Sequence, residues 1–378
     1  MRSAPSVTRS GHSRGFSHND SVIYSVAQLE VQVKKVAREA GFELAGVAPA
    51  RLGDSRELRF FSNWIAAGRA GEMAYLESRD LRGRLKRAAI ENIAPWARSV
   101  IVCALNYNTA HPRSIGCRDP QRGWISRYAW GSADYHSVVM ERLRRVEARL
   151  REEAADPALQ TRCYVDTGPV VERVFAAYAG VGWIGKNTCL INQQVGSWLF
   201  LGLILTSLEL APDFPATDRC GSCTRCLDAC PTQAFIAPHE LDATRCISYL
   251  TIEKRGAIPE ELRAGMGNHV FGCDICQDVC PWNRKAPASS APEFQPQPEG
   301  FQPRLAWLAS MSEEDFRSAF RSSPVRRAKR SGLRRNAVVA MGNSGESGFV
   351  PLLEQLTHDP DPIVAEHAGW ALRKICDL

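Results

Sequence analysis

Apolar positions change period along this chain, and the changes divide it. Residues 26–40 repeat them at helical spacing, 42–47 read as a short strand, and 56–68 read as a second helix stopped by glycine. Residues 99–105 form a nearly unbroken apolar run, the pattern of a strand covered on both faces. From 133 to 153, Val138, Val139, Leu143, Val146 and Leu150 make one stripe of a long helix. Residues 162–166 are again strand-like and 170–179 helical. The glycine-broken turn 180–185 then leads to strands at 188–192 and 197–206. This alternation predicts an α/β (α+β) domain over residues 22–216, large enough for a bulky cofactor.

Past residue 216 the periodicity yields to closely spaced cysteines (217–285) and then to a proline-rich linker (286–303). Residues 304–378 read as helical, with segments at 333–342, 348–358 and 362–376. The apolar and proline spacing from Val350 to Ile375 resembles a HEAT-type helical repeat. One such unit cannot bury its faces alone, so it must dock on the preceding domain. Residues 1–21 are rich in Ser, Arg, His and Gly, carry no apolar run for a signal, and read as a disordered extension.

Composition changes this picture little. Of 378 residues, 44% are hydrophobic and 23% charged, ordinary values for a globular protein. The longest apolar stretch, 198–206, is far short of the roughly 18 residues of a membrane span. A soluble, cytoplasmic, monomeric protein is expected. The net charge of +6 matters for its distribution. Arg317, Arg321, Arg326, Arg327, Lys329, Arg330, Arg334 and Arg335 follow one another without an intervening acid, either as a solvated helix face or as phosphate contacts.

The strongest chemical signal lies in the thirteen cysteines. One run is Cys220-x2-Cys223-x2-Cys226-x3-Cys230-Pro231, and another is Cys273-x2-Cys276-x3-Cys280-Pro281, with Cys246 between them. In two-cluster ferredoxin modules the cysteine before proline ligates the other cluster. Cys220, Cys223, Cys226 and Cys280 then hold one 4Fe-4S cluster, and Cys230, Cys246, Cys273 and Cys276 the second. Structural zinc and disulfides are the competing readings. Cys103, Cys117, Cys163, Cys189 and Cys376 lack ligand spacing and read as packing residues.

Asp166 ends a predicted strand just before a helix, where a partly buried carboxyl of raised pKa can deliver a proton or simply cap the helix. Segment 126–136 gathers aromatic and ionisable residues ahead of the long helix, among them His136, a substrate or metal contact or a structural histidine. The turn 182–187 lacks P-loop spacing.

Segments 126–136, 166–173 and 182–187, both cysteine runs, Arg245 to Glu253, and Cys280-Pro281-Trp282-Asn283 together closely resemble the epoxyqueuosine reductases, over nearly the whole chain. The resemblance implies reduction of epoxyqueuosine to queuosine at wobble position 34 of tRNAs for Tyr, His, Asn and Asp. It implies two 4Fe-4S clusters and cobalamin, with Asp166 as proton donor. It places cobalamin contacts at Arg87, Asp134, Tyr135, His136, Asp166, Lys186 and Ser248. Ala129 stands where some members carry cysteine. An external flavodoxin or ferredoxin would supply electrons, and tRNA phosphates would meet Lys254, Arg255, Arg284, Lys285, Arg326, Arg327 and Arg330. A cobalamin-dependent reductive dehalogenase and a plain two-cluster electron carrier are the alternatives.

Overall fold

The computed structural model describes residues 26–53 and 55–376; the expected extension at 1–21 lies outside them. Strands Leu44–Pro49, Ser99–Asn106, Leu199–Thr206 and Thr161–Tyr164, in that spatial order, form a 4-stranded antiparallel sheet. Every residue of Ser99–Asn106 is buried. Ile101, Cys103 and Leu105 face one apolar layer, and Val100, Val102 and Ala104 face the other. The first layer is closed by helices Val26–Glu39 and Tyr135–Ala154, the latter through the predicted stripe Val138, Val139, Leu143, Val146 and Leu150. The second is closed by Glu172–Tyr178, through Phe175 and Ala176. Each fully buried aliphatic side chain contributes about 1.5–3 kcal/mol, which is why this doubly covered strand anchors the domain.

The proline-rich stretch 286–303 is an ordered strap along this domain. Ser289 N donates to Asn108 O at 2.8 Å, Asn106 Nδ2 donates to Pro287 O at 3.0 Å, and Phe294 is buried in the first apolar layer. The cysteine module holds short helices Arg225–Asp228 near its start and Ile275–Asp278 near its end, which pack on each other. Its strand His269–Phe271 pairs in parallel with Trp124–Ile125, so the first domain supplies half of a two-stranded sheet to the module.

Helices Lys329–Ser344 and Pro362–Cys376 pack tightly at the C-terminal end. A Cβ at Gly342 would lie 2.8 Å from Ala371 Cα, so only glycine allows that approach. The basic run is not one surface. Arg334 is buried and paired with Asp359 at 2.5 Å. Arg335 is wholly buried, donating to the carbonyls of Leu250, Lys254 and Gly256 at 2.7, 2.9 and 2.7 Å. Those oxygens lie in and just after helix Ile247–Ile252, so the guanidinium satisfies groups the helix leaves bare and fastens the C-terminal helices to the cysteine module. Replacing Arg335 with Met should strand these acceptors and cost about 2–4 kcal/mol. Equilibrium urea denaturation measures it, and a loss below about 0.5 kcal/mol would remove the fastening role.

Candidate functional site

Cys226 lies near Cys280, Cys220 and Cys223, and Cys273 lies near Cys246 and Cys230. Burial, then the nearby thiols of Cys280, Cys220 and Cys223, push Cys226 up to about 11. Cys280 is raised by burial and by Cys220, Cys189 and Cys223. In the other group, burial with the proximity of Cys246 and Cys230 holds Cys273 well above the usual thiol range. Such mutual suppression of thiolates is what a cationic iron-sulfur core relieves on binding. Among the described residues no three ligating side chains are gathered as a site for a single metal ion. Cys189, read from sequence as a packing residue, touches Cys276 by hydrogen bonding. Lys186 sits over the first quartet, donating from Nζ to Gly221 O at 2.6 Å and Cys223 O at 3.1 Å. Ser248 hydrogen-bonds the Cys246 sulfur of the second.

Polar residues between the later cysteines stitch this module to the first domain. Asp274 Oδ2 accepts from Trp124 Nε1 at 3.0 Å and Arg127 N at 2.8 Å, and its Oδ1 accepts from Ser126 Oγ at 2.5 Å. Asp278 Oδ2 accepts from Ser114 N at 2.8 Å, and burial lifts its carboxyl to about 6. Asn283 Oδ1 accepts from Ser197 N at 2.7 Å. Gly272, at φ +69°, lets the chain pass Ser126, whose Cβ would stand 2.5 Å from any added Cβ. Cys273 follows directly, and Tyr128 lies at the same crossing.

Tyr128 leads to the second cluster of side chains. Its ring meets that of Tyr135 edge-on at 5.8 Å, and Tyr135 OH donates to Asp166 Oδ2 at 2.8 Å. Asp166 has φ 51°, a left-handed conformation that aspartate adopts more readily than most residues. Thr167 N donates to Val165 O at 2.5 Å, closing a three-residue turn that carries the carboxylate outward; its side chain is 53% exposed and open to substrate. The capping alternative fails, because helix Glu172–Tyr178 has Val171 at its N-cap and no side-chain cap. Arg87 is buried and holds the loop from behind, donating to Gly168 O and Tyr75 O at 2.8 Å each.

His136 lies between two carboxylates, with Nδ1 2.7 Å from Asp134 Oδ1 and Nε2 3.4 Å from Asp166 Oδ2. The second contact is an ion pair without hydrogen-bond alignment, leaving Nε2 buried and unsatisfied. Burial disfavours the imidazolium, but Asp134 and Asp166 outweigh it and raise His136 to about 9. Burial also pushes the Asp166 carboxyl up, yet His136, Tyr135 and the charge of Arg327 bring it below its ordinary value. The expected raised carboxyl is therefore not found: Asp166 is ionised and the proton resides on His136. Glu172 is the acid of raised pKa, at about 8, through burial and the charge of Asp166, and its Oε1 is buried without a partner. Nothing in the sequence pattern marked it.

Of the basic residues, Arg327 comes nearest to this group, stacking over Tyr75 at 5.2 Å and pairing with Glu253 at 2.6 Å. Lys254 pairs with Glu72, and Arg255 donates to Arg327 O at 2.9 Å. Arg330 is tied to Met311 O at 3.1 Å, and Arg326 is exposed. Arg284 and Lys285 are exposed beside the first cysteine quartet instead. A cavity of about 680 Å³ borders His136 and Thr167, and Arg144 and Arg145 line it. Sequence reasoning singled out neither arginine, because both sit on the charged face of an ordinary amphipathic helix.

Comparison with known proteins agrees with this geometry. The family described as "Epoxyqueuosine reductase QueG, DUF1730" matches residues 87–167, and the "4Fe-4S double cluster binding domain" matches residues 219–283, so the module binds two 4Fe-4S clusters. The chain is 41% identical to the epoxyqueuosine reductase of Xanthomonas campestris over 345 residues, covering 90% of this chain and 94% of that one. With the Escherichia coli enzyme the identity is 35% over 348 residues, covering 91% and 89%. A crystal structure of epoxyqueuosine reductase with an epoxyqueuosine-modified tRNA-Tyr stem loop matches with TM-score 0.82 at 33% identity, covering 93% of this chain and 91% of that one. No helix among the described residues is long and apolar enough to cross a membrane.

The His136–Asp166 pair has a defined pH window. The contribution of His136, raised from 6.5 to about 9, is complete below 6.5 and lost as pH rises through about 9. That of Asp166, lowered from 3.8, is present above 3.8 and lost as pH falls through its depressed value. Histidine NMR should show His136 titrating near pH 9, moving toward 6.5 in Asp166→Asn. A midpoint near 6.5 in the unaltered protein would dissolve the ion group.

Proposed function

The chain belongs to the epoxyqueuosine reductase family, and on that premise we propose that it reduces epoxyqueuosine to queuosine at wobble position 34 of tRNAs for Tyr, His, Asn and Asp. The observation that carries this reading is the joining of the second cysteine quartet, through Gly272 and Tyr128, to an outward-facing carboxylate flanked by a protonated histidine. Electron supply and proton supply thus converge on one cleft.

The reaction breaks both oxirane C–O bonds, forms a C=C bond and releases the oxygen as water. It consumes two electrons and two protons, and no side chain here supplies the electrons. Cobalamin fits the remaining need: His136 Nε2 and Glu172 Oε1 are buried without hydrogen-bond partners beside the exposed Asp166 carboxylate. Tyr135, His136, Asp134 and Ser248 would hold it directly, Arg87 by fixing the Asp166 loop, and Lys186 by fixing the first cluster loop. When bound, it supplies a cobalt centre that passes reducing equivalents to the epoxide.

The protein's own part is protonation and positioning. Asp166 accepts the Tyr135 hydroxyl and takes a proton from His136, passing it to the opening oxirane oxygen. Asp134 keeps the imidazolium oriented through Nδ1. The base is taken from its stack into the cleft, as enzymes acting on a nucleobase require. Arg326, Arg327, Arg330, Lys254 and Arg255 meet anticodon-loop phosphates at its rim, setting affinity rather than base choice. The helical C-terminal part, of HEAT-like spacing, presents Arg326, Arg327 and Arg330. The protein works as a cytoplasmic monomer fed by a flavodoxin or ferredoxin.

Anaerobic incubation of an epoxyqueuosine-bearing tRNA-Tyr stem loop with iron-loaded protein and dithionite, with and without cobalamin, tests this by nucleoside mass spectrometry. Cobalamin-dependent loss of one oxygen is the expected result; no loss in protein carrying both clusters would overturn the reading. Asp166→Asn should lower turnover at least about 100-fold at unchanged iron content, in line with general-acid contributions.

A further inference from the structure

A second cavity, of about 510 Å³, opens beside the first quartet. Its lining is built on that quartet's own backbone: Arg225 precedes Cys226, and Val279 precedes Cys280. Ile115, 55% exposed, stands there with Ala229 and Val279, and Arg113, Arg225 and Arg284 surround them. Among the described residues none of the three arginines has a carboxylate in ion-pair contact. Arg113 is pre-set by donating to the carbonyls of Asp278 at 2.8 Å and Asn283 at 2.7 Å, which leaves its charge uncompensated. Two acids share the lining, and both are engaged: Asp228 by Thr224 Oγ1 at 2.8 Å and the buried Asp278 by Ser114 N at 2.8 Å.

We infer that this arginine-ringed apolar patch is the docking surface of an acidic one-electron carrier protein, which delivers electrons to the Cys220–Cys223–Cys226–Cys280 cluster. The inference rests on the reductase reading, which requires electrons from outside. Two observations select the entry point. The Asp166 group joins the module through Gly272, Tyr128 and the second quartet, which makes the first quartet the outer end of the path. None of the residues of the Asp166 cleft lines this cavity, so a carrier seated here leaves the substrate cleft open. Small apolar centres ringed by one sign of charge suit weak, fast-exchanging redox partners, whose association is steered by charge and falls with salt. Arg284 accordingly moves from the RNA contacts to the carrier contacts.

The test uses the full chain loaded with both clusters, and Arg225→Glu/Arg284→Glu, both at exposed positions. Stopped-flow reduction by an acidic flavodoxin hydroquinone should be at least about 10-fold slower in the variant at low ionic strength. The unaltered protein should lose that advantage as salt rises. Flavodoxin affinity, read by fluorescence anisotropy, should fall in parallel. Reduction by dithionite and affinity for the tRNA stem loop should stay within about twofold, because neither small-molecule access nor the Asp166 cleft is touched. An unchanged flavodoxin rate and affinity would overturn the inference, as would a fall in stem-loop affinity in its place, which would give the patch to RNA. Dithionite-driven turnover of the stem loop reports on the proposed function separately, so the two readings fail independently.

Discussion

Asp274 stands between Cys273 and Cys276 and gives both carboxylate oxygens to donors of Trp124, Ser126 and Arg127. A buried carboxylate must have its lone pairs met, since a bare one costs several kcal/mol. The second cysteine run can therefore seat only where this segment is folded to receive it. The same segment runs into Tyr128 and on to Tyr135, the donor to Asp166. One buried carboxylate thus couples the cluster frame to the position of the Asp166 side chain. Asp278 and Asn283 repeat the device along the same run, against Ser114 and Ser197. Polar pairing thus sets where the module sits on the first domain, beside the apolar core to which Ile247, Leu250, Met266, Val270 and Phe271 contribute.

The proton arrangement follows from crowding like charges around one imidazole. Asp134 and Asp166 cannot both stay ionised so close together without a cation between them, and His136 is that cation. Tyr135 and Arg327 add to the stabilisation of Asp166 and make it the weaker base. At Glu172 burial and the charge of Asp166 outweigh the help of Arg173 and Arg87, and it is the group that burial protonates. Neighbouring carboxyl groups are driven to opposite states by their surroundings, which puts a filled proton store beside an empty acceptor.

Much of this was legible from residue order alone. Strand Ser99–Asn106 announced its double burial because no polar side chain interrupts its run, and the two-cluster module followed from cysteine spacing. Asp166 was marked by standing between a strand pattern and a helix pattern. What stayed hidden depended on distance. Asp274 looks like any acid in a cysteine-rich loop until its partners, about 150 positions earlier, are known to be buried. Arg334 and Arg335 belong to a basic run whose charge suggests solvent or phosphate. Their places were decided by Asp359 and by bare carbonyls on another helix, which no local pattern reveals. The linker at 286–303 misled for a related reason: proline and glutamine disfavour regular elements but do not prevent a strap from hydrogen-bonding to Asn106 and Asn108.

The parallel pairing of Trp124–Ile125 with His269–Phe271 also governs how the protein comes into being. On the ribosome the earlier strand is made first and has nothing to pair with until the later one emerges, long after the central sheet is complete. Contacts between such distant positions form late and slowly. The loop that carries Tyr128 therefore acquires its final shape only when Cys273 and Cys276 arrive beside it. Synthesis thus imposes an order on the fold: the cleft beside Asp166 takes its final shape only after the chain has presented its second cysteine run.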